Sequence, residues 1–171
     1  MKTVFREIFD DPLNFFKKKR DFKQGIVLLL ISVFIFVSMN QLMIQMKFVQ
    51  YDLDVSPYTA LIINYFTILL GYVVITTFCL IPYKIIGGKN AKNLYTVVAY
   101  SLLPAIFLWV PHILPQTIII FLSALLITRG VAIHAKTTNK NALLVTVFFV
   151  TLVILSSLLV RNYILPLLYF I

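Results

Sequence analysis

Residues 25–46 form a run of 22 residues without a charged side chain. At 1.5 Å per residue such a run makes a helix ~33 Å long, enough to cross a bilayer core of ~30 Å. Similar runs recur at 58–82 and 142–160, and at 116–133 with Arg129 as its one charge. Only an α-helix satisfies all its backbone groups within one lipid-facing segment, so these runs restrict the chain to an all-α membrane architecture. Composition agrees. Of the 171 residues, 61% are hydrophobic and 12% charged, and the mean hydropathy is +0.97. A soluble domain carries about a quarter charged residues.

A shorter run, 96–111, holds Pro104 and is separated from 116–133 by Pro111, His112 and Pro115. Prolines enforce a tight turn there. The pattern predicts a helical hairpin, with a kinked third span followed by a fourth. The rival is a re-entrant loop, which needs protein cover for its backbone. Residues 25–171 thus read as one membrane domain of five spans, about 25–46, 58–82, 96–111, 116–133 and 142–160.

Residues 1–24 precede it as a basic amphipathic segment. Val4, Phe5, Ile8 and Phe9 recur at helical spacing, and Asp11 before Pro12 has the form of an N-cap with proline at the first helical position. Two short helices broken at Asp11 are expected. Phe15 and Phe16 with Lys17, Lys18, Lys19 and Arg20 predict an interfacial helix on anionic lipid headgroups. On the plainer reading these charges only fix topology. The charged region is long and no small-residue cleavage site follows, so a retained first span is expected rather than a signal peptide.

Basic residues alternate between the loops. An orientation with the N-terminus in the cytoplasm and the C-terminus outside places thirteen of the fifteen on the inner side, counting Arg129 as snorkelling there. This predicts a multi-pass protein of the cytoplasmic membrane. On such a chain the net charge of +9 reads as topology and lipid contact, not nucleic-acid binding.

No catalytic constellation is legible. All six acidic residues lie in the N-terminal segment or the loop 47–57, so no span carries a carboxylate. Span serines have no neighbouring base. His112 and His134 fall on opposite sides, and each is expected at an interface or in solvent. Cys79 stands alone, so no intrachain disulfide forms. Met39, Met43 and Met46 stack on one helix face, which reads as packing rather than a copper site. The expectation is a chain without catalytic, cofactor or metal residues.

Two polar features remain. Ser38, Gln41 and Gln45 share a helix face. Asn40 and Asn64 fall at similar depth on the first two spans, where an amide bond is worth ~0.6–2 kcal/mol. These residues read as interspan contacts, or as the lining of a polar cavity in a small transporter or channel subunit. The second feature is the stretch 85–104. Gly87 and Gly88 end the second span, Lys84, Lys89 and Lys92 surround the turn, and Tyr100 and Pro104 follow in the next run.

The chain resembles the Yip family of small integral membrane proteins, the Ypt/Rab-interacting proteins, in a compact bacterial form. The resemblance rests on DPLNFFKKKRDFKQGI at 11–26, IIGGK at 85–89 spaced before AYSLLP at 99–104, and LLITRGVAIHAKTTNKNAL at 125–143. It implies five membrane helices and a cytoplasmic N-terminus. Longer eukaryotic members act with small GTPases through an extended N-terminal region. This chain has 24 residues there, so that role is not expected. The leading expectation is a non-enzymatic adaptor or accessory subunit for an unidentified membrane-protein partner.

Overall fold

The structure is a computed structural model and describes residues 2–18, 20–46, 56–108 and 113–159. Among these the fold is all-helical. The α-helices are α1 (Lys2–Asp10), α2 (Phe22–Gln45), α3 (Pro57–Ile85), α4 (Ala91–Ser101), α5 (Ile113–Ala135) and α6 (Asn139–Leu159). A 3-10 turn, Phe15–Lys17, follows α1, and a longer one, Leu103–Phe107, follows α4.

Four helices are long and apolar enough to cross a membrane: α2, α3, α5 from Gln116, and α6. Their ends are set by local chemistry. Asp21 caps α2 by accepting from the Gln24 amide, Ser56 caps α3 through the Thr59 amide ahead of Pro57, and Asn90 caps α4 through Lys92. The helix at 58–82 extends a little beyond its apolar run at both ends, to Pro57–Ile85, and that at 142–160 starts three residues earlier, at Asn139.

The expected third span departs most from its sequence pattern. Its helix begins at Ala91 rather than 96 and runs 11 residues. Pro104 does not kink a continuing α-helix. It sits at the start of the 3-10 turn, because proline lacks the amide that α-helical continuation needs. Laid end to end the two pieces would measure about 26 Å, but the Phe107 ring at the end of the turn meets Phe9 of α1, with 6.1 Å between ring centres. Gln116 Nε2 donates to the Leu108 carbonyl at 3.2 Å, joining the 3-10 turn to α5. Trp109 to His112 lie outside the described residues.

This short segment is the centre of the molecule. Leu94, Val97, Val98, Ala99, Tyr100 and Leu103 are fully buried, wrapped by α2, α3 and α5. Leu103 and Pro104, at the start of the 3-10 turn, are buried, while Phe107 at its end is exposed. The long helices instead keep most of their surface outward, as lipid-facing elements do; α3 is the least enclosed.

The N-terminal segment also departs from expectation. After α1 there is no second helix, only a turn in which Asn14 Nδ2 donates to the Asp11 carboxylate, and then Phe15–Lys17. Adjacent residues do not share a face of an α-helix, so a tight turn lets both phenyl rings enter the core together. Phe15 and Phe16 are each 2% exposed, so they contact protein, not lipid.

Candidate functional site: the basic end of the bundle

The N-terminal segment closes one end of the bundle. Ile8 and Val4 of α1 are buried, and the Phe16 ring meets Tyr100 of α4 and His134 of α5. Gly130 makes room for that ring: a Cβ there would stand 2.9 Å from it and 2.6 Å from Val97. Gly25 does the same for Tyr100, whose ring would lie 2.8 Å from an added Cβ. The Tyr100 hydroxyl is within hydrogen-bond distance of the Asp21 carbonyl (3.1 Å) and Gln24 Oε1 (3.2 Å). Tyr100 thus ties α4 to the start of α2 beneath the docked segment.

A charged clasp holds the segment from outside. Lys18 Nζ donates to Glu7 Oε1 at 2.9 Å, and Arg20 donates to Glu7 Oε2 at 2.7 Å. The same guanidinium donates to the Phe15 carbonyl and lies 3.7 Å from the Phe15 ring centre. Cation and ring attract through the ring's quadrupole. The hydrogen bonds from Lys18 and Arg20 hold the Glu7 carboxyl below the usual carboxylate range. Arg20, expected on the lipid interface, is instead largely enclosed by this clasp, its side chain 11% exposed. Lys17 and Lys18 are exposed, and Lys19 lies outside the described residues.

The turn after α3 completes this end. Gly87 takes a left-handed backbone, φ +95°, which favours glycine. Gly88 does not; its reason is packing, since an added Cβ would overlap the buried Tyr83 ring. Lys84, Lys89 and Lys92 are exposed around it. Gly87 approaches the Ala135 carbonyl, and Lys92 lies 5.4 Å from the Phe22 ring, so the ends of α3 and α5 and the starts of α2 and α4 share one rim. Arg129 donates to the Asn139 side chain and the Leu13 carbonyl at the same rim. Lys17, Lys18, Lys23, Lys84, Lys89, Lys92, Lys136 and Lys140 are all exposed there.

The interspan amides fall elsewhere and do not meet. Among the described residues no hydrogen bond joins Asn40, Gln41 or Gln45 to Asn64. Asn64 and Gln45 are exposed, and Asn40 and Gln41 partly so. Similar depth, the ground for expecting the two asparagines to meet, does not fix rotation about a helix axis. Spans are joined by other polar contacts: Thr128 to Thr146 at 2.8 Å, Tyr95 to Thr77 at 2.6 Å, and the Tyr72 hydroxyl to the Tyr95 carbonyl at 2.9 Å. His134 is half-buried against Phe16 rather than solvated.

A cavity of about 700 Å³ lies between α2, α3, the second 3-10 turn and α6. Its walls are mostly aliphatic and aromatic, and none of Asn40, Gln41, Gln45 or Asn64 lines it. Among the described residues no group of three or more His, Cys, Asp or Glu side chains is placed to hold a metal.

Phe15, Phe16, the glycine turn and Tyr100 all fall within the sequence blocks that carried the family resemblance. Comparison with curated proteins and with solved structures gives no match. The family model for the Yip1 domain matches residues 6–160, and the protein, a multi-pass membrane protein by its apolar helices, belongs to that family.

Proposed function

We propose that this protein is a non-enzymatic adaptor or accessory subunit of the cytoplasmic membrane, with its basic end in the cytoplasm. One observation carries the reading: eight exposed lysines, contributed by every segment that reaches that end, form a single rim on a tightly packed base. A fixed surface of net positive charge, with exposed Asp10, Asp11 and Asp21 set among the lysines, attracts partners of the other sign and orients their approach. The partner surface is acidic, on a membrane protein, and the rim also contacts anionic lipid headgroups. The five-span topology, with the N-terminus inside and the C-terminus outside, is part of the same proposal.

Photo-crosslinking in native membranes tests it. A photoreactive residue at Lys89 is expected to give a discrete partner adduct, and one at Tyr58, at the other end of α3, is not. Adducts only from Tyr58, or recovery of the protein alone at every detergent strength, would overturn the adaptor reading. The alternative, a small transporter or channel subunit with a polar cavity between the first two spans, finds less support. The cavity beside those spans is apolar, and the four amides are not in it.

A further inference from the structure

Arg129 is a cation rooted inside an apolar span, and no carboxylate neutralises it among the described residues. It stands six residues before the end of α5, ~9 Å along the axis. The carboxylates of the N-terminal segment are engaged elsewhere: Glu7 with Lys18 and Arg20, Asp10 with Arg6, Asp11 with Asn14, and Asp21 with the Gln24 amide. Arg129 bonds neutral acceptors instead, Asn139 Oδ1 at 3.0 Å through Nη1 and the Leu13 carbonyl at 3.4 Å through Nε. Both hydrogens of Nη2 remain unused among the described residues. Asn139 is the first residue of α6, so the side chain reaches from within its span to the level where the spans end, as snorkelling cations do. An ionisable group rooted in a span is costly unless it is paired.

The guanidinium heads a groove of about 470 Å³ between α5 and α6. Beyond it the walls are Phe121, Ala124, Leu125 and Leu143, an apolar slot that follows α5 for ~12 Å from Arg129 to Phe121. Phe121 is 69% exposed and Leu143 50%, so the slot lies open on the outer face of the bundle. The Thr128 hydroxyl on the wall is spent on the Ala124 carbonyl and Thr146. A cationic head over an apolar slot matches a membrane lipid lying along the span, and charge selects which lipid. A guanidinium binds phosphate oxygens through charge-assisted hydrogen bonds. Asn139 opens α6, so the positive end of that helix dipole adds to the same point. No acidic side chain lines the groove, so the ammonium of a zwitterionic head finds no partner there. We infer that this groove holds one anionic phospholipid, its phosphate on Arg129 and an acyl chain along the seam between α5 and α6. The site deepens the headgroup contact proposed for the basic end and rests on that contact, but places one lipid on an arginine rather than on the exposed lysines.

Native mass spectrometry of the full chain tests this, with the protein released from nanodiscs of mixed phosphatidylcholine and phosphatidylglycerol. The wild type is expected to retain one phosphatidylglycerol. Arg129→Gln weakens that retention about tenfold or more, the scale of one charge-assisted hydrogen bond. Ala124→Leu fills the apolar slot while leaving the guanidinium and its two acceptors in place, and loses most of the retained lipid. A role of Arg129 confined to holding Leu13 and Asn139 would not make retention depend on Ala124. Arg6→Gln, which removes an exposed cation of α1 outside the groove, leaves retention unchanged.

Phosphatidylcholine retained as well as phosphatidylglycerol would overturn the assignment to an anionic lipid. Retention that falls with Lys89→Gln and Lys92→Gln but not with Arg129→Gln would overturn the groove and leave the headgroup contact of the lysines standing. A wild type that retains no phosphatidylglycerol would overturn both. Full retention by Ala124→Leu would overturn the placement of the chain in the slot. Ala124→Leu decides the matter alone if Arg129→Gln does not give a monodisperse protein.

Discussion

Gly87 and Gly88 are adjacent and both required, for different physical reasons. Gly87 needs its missing Cβ for a left-handed backbone, and Gly88 needs it because the Tyr83 ring occupies the space. Gly88→Ala is expected to lower stability by about 1–3 kcal/mol, the usual cost of overpacking. Thermal melting in detergent checks this, and Gly88→Ala with Tyr83→Leu is expected to recover part of the loss, as coupled neighbours do. Gly87→Ala is expected to destabilise whether or not Tyr83 is shortened. Equal rescue of both glycine variants by Tyr83→Leu would contradict the distinction. The sequence showed that a helix ends at this pair. It did not show which glycine turns the chain, because backbone sign and ring position are set by α5 and Tyr83, not by the dipeptide.

The N-terminal segment and α4 carry the lesson at the scale of elements. Aromatics beside lysines fit both a lipid interface and a docked plug. The choice depends on a receiving surface, here Gly130, Tyr100 and His134, which lie more than 80 residues downstream. Burying Ile8, Phe15 and Phe16 is worth ~1.5–3 kcal/mol each. Phe16→Ala is expected to release the segment, read as increased mobility of a spin label at exposed Phe9. The clasp adds a pH dependence of definite sign. The folded Glu7 carboxyl is held below its ordinary value of 4.5, so its contribution to docking is present above about that pH. It is lost as pH falls through the lowered value. Label mobility is expected to rise on acidification in the wild type, and Glu7→Gln removes that rise. A wild-type label as immobile at low pH as at neutral pH would show that Glu7 does not hold the segment. For α4, Pro104 and a short apolar run were enough to expect a hairpin. Its role as the most enclosed element was not legible, since burial by neighbours leaves no periodic mark in a segment apolar on every side.

For the whole molecule, the rim of lysines gives the proposed orientation a direct test. Asn90→Cys, in the basic turn, is expected to resist a membrane-impermeant thiol reagent in intact cells, and Tyr58→Cys to react. The reverse would invert the topology. Cys79 is buried and supplies no background signal. The sequence by itself determined an all-helical membrane protein and four of the five spans expected of it, because hydrophobic length is a local quantity set by lipid thickness. Tertiary structure alone decided that the aromatic N-terminus docks into the bundle, that Asn40 and Asn64 do not meet, and that an apolar cavity lies between α2, α3 and α6. Each of these depends on how helices rotate and tilt against one another, which is set by the packing of distant side chains and not by the composition of any one run.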